Sequence, residues 1–201
     1  MKTGQKAYLV FKRLFDIVFS FLSILVLSPL LLVLSIIVTI DTKGFPVFRQ
    51  KRIGKNSKTF LILKFRTMKK DAPKEMPTYL LENPNKYITK CGKWMRKTSL
   101  DELPQLFNIF IGQMSFIGPR PVLWNQSILI NLREQNGANT IRPGLSGYAQ
   151  CYGRDRISDE EKAKLDKYYL DNFGFGLDVI LFFKTIKNVC LKKDVVEGKQ
   201  G

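Results

Sequence analysis

Residues 17–40 read IVFSFLSILVLSPLLLVLSIIVTI, a stretch of 24 residues without a charged side chain. A continuous helix of this length would extend about 36 Å, which exceeds the roughly 30 Å hydrocarbon core of a bilayer. The length therefore permits a membrane span. A cleaved signal peptide fits less well, because its apolar region is usually about 7 to 15 residues long and ends at small residues.

The middle of this run contains Ser28-Pro29. Proline lacks a backbone N–H and clashes with the carbonyl four residues earlier, so we expect a bend, with the Ser28 hydroxyl satisfying a freed carbonyl. Basic residues mark the cytoplasmic flank of a membrane segment, and here both flanks are basic. They are Lys2, Lys6, Lys12 and Arg13 before the run, and Lys43, Arg49, Lys51, Arg52, Lys55 and Lys58 after it. A helix-break-helix that enters and leaves one leaflet satisfies both flanks. The alternative, commoner in membrane proteins, is a kinked transmembrane helix.

Composition indicates one globular domain after this segment. Residues 1–45 form the predicted anchor, and residues 46–201 are enough to bury a core of their own. The net charge of +16 favours anionic membrane lipid and anionic substrates. Nucleic acid is disfavoured as a partner, because the basic residues are scattered and no recognition motif is present.

The chain contains no histidine. This excludes Ser-His-Asp and Cys-His nucleophile arrangements and histidine-based zinc sites. Cys91, Cys151 and Cys190 are odd in number and far apart, a pattern typical of reduced thiols rather than of a disulfide framework or a zinc site. An enzyme of this composition must therefore use carboxylates, Lys, Arg, Tyr or a hard metal ion.

Local patterns predict several elements downstream. Residues 47–48 and 59–65 are typical of two strands around a turn, whereas the polar, proline-containing residues 69–86 indicate a surface loop. Ser99 with Glu102 three residues later matches a capping box, and the apolar residues that follow have helical spacing. The sequence therefore places Asp101 and Glu102 in the first turn of an amphipathic helix.

The acidic pair has two explanations at this stage. Acids at a helix start complement the positive helix end, which is the commoner reason for finding them there. Alternatively, with Arg96 nearby, the pair binds a hard cation such as Mg²⁺. Arg120 lies between two prolines at 118–121 (GPRP), which suits a rigid phosphate clamp or merely a turn with a solvated arginine. Arg142 and Arg154 lie in glycine-containing turns that suit anion binding.

Taken in order, these motifs resemble one family, the bacterial sugar transferases, that is, the monotopic polyprenyl-phosphate phosphoglycosyl transferases. The resemblance covers nearly the whole chain, and the chain looks like the minimal catalytic form of this family. The matching blocks are KRLFD (12–16), Ser28-Pro29, Phe48 with Gln50, Arg52 and Gly54, KFRTM (64–68), SLDELPQLFN (99–108), GPRP (118–121), RPG (142–144), GR (153–154) and DKYY (166–169).

The resemblance implies transfer of a sugar phosphate from a UDP-sugar to polyprenyl (undecaprenyl) phosphate, with release of UMP. Asp101 would be the nucleophile that forms a covalent phosphosugar intermediate, and Glu102, with Asp101, would bind Mg²⁺. The residues expected to bind phosphate or substrate are Lys64, Arg66, Arg96, Arg120, Arg142, Arg154, Asp166 and Asp178. For Asp166, a place on a charged helix face is an equally good interpretation. The reaction would be the first membrane step of glycoconjugate or polysaccharide synthesis.

The implied fold is α+β and mainly helical. It comprises an N-terminal re-entrant membrane helix-break-helix, then a compact cytoplasmic catalytic domain with a small β-hairpin and interfacial amphipathic helices, at the cytoplasmic face of the bacterial inner membrane. Residues 122–132 and 179–193 are the interfacial candidates, with packing in the core as the alternative. Tyr148 and Tyr152 depart from the family pattern and leave the sugar open. A membrane-anchored binding or assembly protein without catalytic activity, or an enzyme that hydrolyses a lipid diphosphate, remain alternatives.

Overall fold

The computed structural model describes residues 3–73, 81, 83–153 and 157–191, and these residues form a mainly helical structure with two small sheets. The helices are α1 (Thr3–Thr42), α2 (Pro84–Tyr87), α3 (Lys90–Lys97), α4 (Gln105–Phe110), α5 (Ser127–Asn136), α6 (Tyr148–Tyr152), α7 (Asp159–Asn172) and α8 (Phe175–Cys190). The strands are β1 (Val47–Ile53), β2 (Thr59–Phe65), β3 (Ser115–Ile117) and β4 (Gly144–Ser146). The expected mainly helical α+β class is confirmed. Part of the predicted loop at 69–86 lies outside the described residues.

Helix α1 is one helical element with Pro29 inside it, so the expected division into two helices at Ser28-Pro29 is not observed. The carbonyl of Leu25 loses its usual donor because Pro29 has no N–H. The Ser28 hydroxyl donates to this carbonyl at 2.8 Å, as the sequence predicted. Because the Ser28 hydroxyl replaces the missing N–H as the donor, the helix continues past Pro29 without leaving the Leu25 carbonyl unsatisfied. The path of α1 through a bilayer stays a prediction.

Polar contacts hold the N-terminal half of α1 against the rest of the protein. Lys12 forms an ion pair with Asp178 of α8. The Arg13 guanidinium donates to the carbonyls of Ile109 and Phe110, which belong to the last turn of α4, where helix carbonyls lack intrahelical partners. Buried Asp16 accepts from the Ser115 hydroxyl and the Phe116 N–H at the start of β3. These contacts make α1 part of the fold.

The C-terminal half of α1 is held by apolar packing. Leu34 and Val38 are almost completely buried in a cluster with Phe65 of β2 and Met95 of α3. The opposite face of α1 remains exposed and apolar from Val10 to Ile40. Among the described residues, α1 is the one helix long and apolar enough to cross a membrane.

The predicted hairpin is present. Strands β1 and β2 are antiparallel, with Val47 opposite Phe65 and Ile53 opposite Thr59. Cross-strand partners share a face, so Gln50, Arg52 and Lys64 project from the same side of the hairpin. This side carries the polar residues that matter for the site described below.

Asn108 joins α4 to the hairpin. Its side-chain amide donates to the carbonyl of Leu61, and its carbonyl oxygen accepts from the N–H of Leu63. The side chain thereby satisfies backbone groups on the edge of β2 that β1 does not cover. This contact fixes the segment before α4 beside Lys64.

The second sheet pairs β3 and β4 in parallel, with Ser115 opposite Gly144 and Ile117 opposite Ser146. A Cβ on Gly144 would lie 2.1 Å from the backbone nitrogen of Gly118, closer than any side chain permits. Only glycine therefore allows β4 to approach the segment that leads to Arg120.

The predicted capping box at Ser99 is wrong. Ser99 adopts a left-handed backbone conformation (φ 57°) and makes no side-chain capping hydrogen bond. Leu100–Glu102 form a 3-10 turn, and α4 begins only at Gln105. The cause is a longer-range interaction, because the Glu102 carboxylate contacts Lys64 rather than folding back on Ser99.

The two candidate interfacial stretches differ. In residues 122–132, Val122, Leu123 and Leu129 are buried, which fits the core alternative there. Helix α8 buries Leu181 but exposes a run of apolar residues. These are Phe175, Ile180, Phe182, Phe183 and Ile186. Contact of α8 with lipid stays a prediction.

The Ser28 hydrogen bond predicts an unusual pair of substitution effects. Ser28→Ala leaves the Leu25 carbonyl without a donor and is expected to lower the free energy of unfolding by about 1 kcal/mol. In a Pro29→Ala background, the restored N–H of residue 29 bonds the same carbonyl, so Ser28→Ala should cost much less. Thermal unfolding of the four proteins in bicelles measures this difference. An equal cost in both backgrounds would contradict the proposed role of the hydroxyl.

Candidate active site

The acidic pair lies at the centre of a cluster of basic side chains. Asp101 is buried, and Glu102 of the same 3-10 turn accepts from the Lys64 ammonium group at 2.6 Å. The Arg120 guanidinium lies 3.6 Å from the same Glu102 oxygen. Arg96 acts electrostatically on Asp101, and Arg52 acts on Glu102. Four cations surround two carboxylates, so the cluster carries an excess of positive charge.

The two carboxyl groups are shifted in opposite directions. Burial raises the pKa of Asp101 to about 6, and the adjacent Glu102 charge adds to the effect, although Lys64, Arg96 and Arg120 favour the anion. Burial also opposes ionisation of Glu102, but Lys64 and Arg120 outweigh it and lower the pKa of Glu102 to about 2. The cations therefore compensate Glu102 more fully than Asp101.

Helix α3 positions Arg96. The Thr89 side chain caps this helix by accepting from the Gly92 N–H. A Cβ on Gly92 would lie 2.1 Å from the Thr67 carbonyl oxygen, so glycine is needed for the helix to pack this closely. The approach lets the Arg96 Nε donate to the Thr67 hydroxyl at 2.9 Å. Arg96 is thus held near Asp101 by the segment that follows β2.

The Gly-Pro-Arg-Pro segment positions Arg120 through its carbonyls. Four consecutive carbonyl oxygens, those of residues 119–122, each accept a hydrogen bond from another part of the chain. The donors are the Gly144 N–H (2.9 Å), Arg133 Nη1 (2.8 Å), Arg52 Nη1 (3.0 Å) and the Ile53 N–H (2.9 Å), in that order. Together with the two proline rings, these bonds fix the backbone on both sides of Arg120.

The structure brings together four of the predicted site residues besides Glu102. Three of them, Lys64, Arg96 and Arg120, lie around the fourth, Asp101. Arg66 instead donates to the Phe45 carbonyl. Arg142 donates to the Gly112 carbonyl. Arg154 lies outside the described residues.

The two remaining acids have partners of their own. Asp166 is completely buried and forms an ion pair with Arg133 of α5, so its interpretation as part of a charged helix face is wrong. Asp178 pairs with Lys12 and accepts from the hydroxyls of Tyr8 (2.8 Å) and Tyr169 (2.7 Å). Asp178 therefore ties α1 to α7 and α8. A direct contact of either acid with a nucleotide stays a prediction.

Sequence reasoning did not assign a site role to Arg52, Gln50, Asn108 or Arg133. The alternation along β1 is the signal that identifies Arg52, because it shares the hairpin face with Lys64. Gln50 lies on that face as well and accepts from the Arg52 guanidinium at 2.7 Å. No comparable local signal marks Asn108 or Arg133, because their partners are distant in sequence.

Comparison with known sequences gives a consistent result. A model of the family described as bacterial sugar transferase matches residues 7–192. The exopolysaccharide production protein ExoY of Sinorhizobium fredii is 36% identical over 196 residues, covering 90% of this chain and 86% of that protein.

Two relatives with named reactions are longer. The UDP-N-acetylgalactosamine-undecaprenyl-phosphate N-acetylgalactosaminephosphotransferase of Aeromonas hydrophila is 34% identical over 90% of this chain and 44% of its own length. The UDP-glucose:undecaprenyl-phosphate glucose-1-phosphate transferase of Klebsiella pneumoniae is 36% identical over 89% of this chain and 40% of its own length. The chain thus spans less than half of each.

The opposite pKa shifts predict opposite stability effects at pH 7.5. The folded-state pKa of Asp101 is raised, so ionisation of this side chain lowers the free energy of unfolding at pH values above its unfolded-state pKa of about 3.9. Asp101→Asn should therefore raise the free energy of unfolding by up to about 3 kcal/mol. This gain should disappear below about pH 4, where the carboxyl is protonated in both states. The folded-state pKa of Glu102 is depressed, so its ionised form stabilises the protein. Glu102→Gln should therefore lower the free energy of unfolding by up to about 3 kcal/mol at pH 7.5.

Chemical unfolding of both variants in detergent between pH 4 and pH 8 measures these effects. Asp171→Asn, which removes an exposed carboxylate on α7, is the matched control. A destabilisation by Asp101→Asn at pH 7.5 as large as that by Glu102→Gln would contradict the opposite shifts.

Proposed function

The chain belongs to the bacterial sugar transferase family, and from this premise we propose that it moves a sugar phosphate from a UDP-sugar to polyprenyl phosphate and releases UMP. The names of the Aeromonas and Klebsiella relatives support a reaction between a UDP-sugar and undecaprenyl phosphate. The product, a polyprenyl diphosphate sugar, would begin the synthesis of a glycoconjugate or polysaccharide.

The observation that carries the proposal is the acidic pair, buried Asp101 and half-buried Glu102, inside a basic cluster. Lys64, Arg96, Arg120 and Arg52 exceed the charge of Asp101 and Glu102 by two. A diphosphate brings negative charge of about this size, so its binding would neutralise the cluster. A carboxylate pair that only caps a helix would not need four cations from distant segments.

The proposed chemistry has two displacement steps. An Asp101 carboxylate oxygen attacks the phosphorus that bears the sugar, the bond from this phosphorus to the UMP oxygen breaks, and UMP leaves with the electron pair. An oxygen of the polyprenyl phosphate then attacks the same phosphorus, and the bond to Asp101 breaks to regenerate the carboxylate. Asp101 needs no general base, because its carboxyl group is mostly in the ionised form above pH 6. The absence of histidine is therefore no obstacle.

The donor set suits Mg²⁺ only in combination with the substrate. Within residues 3–73, 81, 83–153 and 157–191, no group of three or more His, Cys, Asp or Glu side chains is suitable for holding a metal ion. Mg²⁺ commonly binds one or two carboxylates and completes its shell with substrate phosphates and water. Asp101 and Glu102 would hold the ion in this way. When bound, it would supply positive charge to the diphosphate and the departing UMP.

The contacts of α1 support a re-entrant arrangement. Tyr8 and Val38 are separated by 30 residues, about 45 Å along a straight helix, yet both contact the body of the protein. Asp16, Ile24 and Leu27 contact it between these points. A helix crossing the bilayer would carry its middle away from a domain in water, so we propose that α1 dips into one leaflet with its apolar face outward. The domain would then lie at the cytoplasmic face of the inner membrane.

The proposed reaction predicts a covalent intermediate. Purified protein in detergent, incubated with a panel of UDP-sugars, undecaprenyl phosphate and Mg²⁺, should release UMP with at least one sugar. Without the lipid, intact-protein mass spectrometry should detect the added mass of the sugar phosphate, and peptide mass spectrometry after proteolysis should place it on the peptide that contains Asp101. Asp101→Asn should lower UMP release by at least about 10³-fold, because amide nitrogen and oxygen do not replace the carboxylate as nucleophile.

Asp171→Asn serves as the control and should retain activity. Chelation with EDTA should suppress UMP release, and added Mg²⁺ should restore it. UMP release unchanged by Asp101→Asn would contradict the mechanism. A panel without any release would favour a binding or assembly protein, and inorganic phosphate released from a lipid diphosphate would favour the hydrolytic alternative.

The re-entrant arrangement predicts that both ends of α1 lie on the same side of the membrane. Single cysteines are introduced at Gly4 and Lys55 after Cys91, Cys151 and Cys190 have been replaced. An added Cβ at Gly4 meets no atom within 4 Å, and Lys55 is exposed. A membrane-impermeant maleimide should label both positions only after spheroplasts are permeabilised. Labelling of position 4 in intact spheroplasts, with position 55 protected, would support a spanning helix instead.

A further inference from the structure

Arg133 and Asp166 form an ion pair in the interior, between α5 and α7. Nε of Arg133 donates to Oδ2 of Asp166 at 2.8 Å, and Nη2 lies 2.5 Å from the same oxygen. The two side chains are only 4% and 1% exposed. Arg133 is not one of the four cations described above around Asp101 and Glu102. The pair therefore needs an explanation outside the direct contacts of the site.

The remaining terminal nitrogen of Arg133 links this pair to the site. Nη1 donates to the carbonyl oxygen of Arg120 at 2.8 Å, while the Arg120 guanidinium extends to Glu102. One planar guanidinium thus holds Asp166 with two nitrogens and the backbone of the Gly-Pro-Arg-Pro segment with the third. A lysine at position 133 has a single ammonium group and would not reproduce this geometry.

General energetics indicate a purpose other than stability. Removing two charges from water is costly, and apolar side chains of similar volume often give equal or greater stability than a buried ion pair. What apolar residues do not supply is a donor aimed at one carbonyl. Asp166 fixes the orientation of the Arg133 plane, and this plane fixes the carbonyl of the residue that presents its guanidinium to Glu102.

We propose that Arg133, oriented by Asp166, is a positioning residue that sets the place of Arg120 in the active site. The inference rests on the proposed function, in which the Arg120 guanidinium binds oxygens of the diphosphate. It gives Asp166 a role through Arg133 instead of through direct contact with the nucleotide. Small displacements of a charged group from a transferring phosphoryl group cost much of its effect, so loss of the donor should affect turnover.

The central variant is Arg133→Met combined with Asp166→Leu. It removes both charges together, leaves neither unpaired in the interior, and is expected to unfold at a temperature close to that of the parent. It should nevertheless lower kcat for UMP release by about 100-fold, with the KM for the UDP-sugar changed by less than about threefold. Lys167→Gln with Asp171→Asn, which removes an exposed ion pair on α7, should change neither constant.

A double-mutant cycle with Arg120→Ala separates positioning from a general structural effect. If Arg133 acts through Arg120, the Met/Leu pair should lower kcat by less than about threefold once Arg120 is alanine. A full additional 100-fold loss in that background would overturn the proposal. Should the Met/Leu protein not fold, Arg133→Lys keeps the charges paired with Asp166 and undergoes the same cycle.

A second measurement does not depend on activity. A nitroxide spin label is attached to Arg120→Cys in protein whose native cysteines have been replaced. Its line shape should indicate restricted motion in the parent, greater motion with the Met/Leu pair, and no change with the α7 surface pair. An unchanged line shape with the Met/Leu pair would overturn the inference. If the parent protein releases no UMP from any UDP-sugar, the proposed function fails, while the line shapes still decide whether Arg133 positions residue 120.

Discussion

Two consecutive carboxylates, buried Asp101 and half-buried Glu102, lie together in the protein, and this places the strongest single constraint on the structure. Each ionised carboxylate costs on the order of several kcal/mol to bury unless cations and hydrogen bonds compensate it. The local sequence does not supply enough compensation, so it comes from the hairpin, from α3 and from the Gly-Pro-Arg-Pro segment. The arrangement of these three elements around one 3-10 turn follows from this electrostatic requirement.

Helix α1 is an integral part of the same folded structure. Lys12 pairs with buried Asp178, Asp16 bonds to buried Ser115, and Leu34 packs into a cluster that contains Phe65 of β2. Because Phe65 directly follows Lys64, the apolar helix and the acidic pair are joined by one strand. In the proposed reaction this connection would have a function, since the depth of α1 in the lipid would set the height of Asp101 above the membrane surface. A lipid phosphate and a soluble nucleotide can meet only at a defined height.

The sequence predicted those features whose cause lies within a few residues. Two strand-like runs around a turn, at 47–48 and 59–65, predicted the hairpin, two prolines predicted a rigid Arg120, and Pro29 predicted the hydrogen bond of Ser28. It failed where a distant partner decided the outcome. The Ser99–Glu102 spacing fits a capping box, but Lys64, 38 residues away, takes the Glu102 carboxylate. The burial of Asp166 likewise depends on Arg133, which no helical or strand periodicity connects with it.

The opposite pKa shifts of Asp101 and Glu102 fit the proposed roles of these two residues. Lys64 and Arg120 contact Glu102 directly, so this carboxylate is strongly stabilised as an anion and is a weak nucleophile. The pKa of Asp101 is raised to about 6 by burial, which makes its carboxylate more basic than an ordinary one yet still ionised near neutral pH. After attack, Asp101 would carry the sugar phosphate, whose negative charge replaces its own among the same cations. The covalent intermediate would therefore need no rearrangement of the basic cluster, which would be preorganised for both proposed displacement steps.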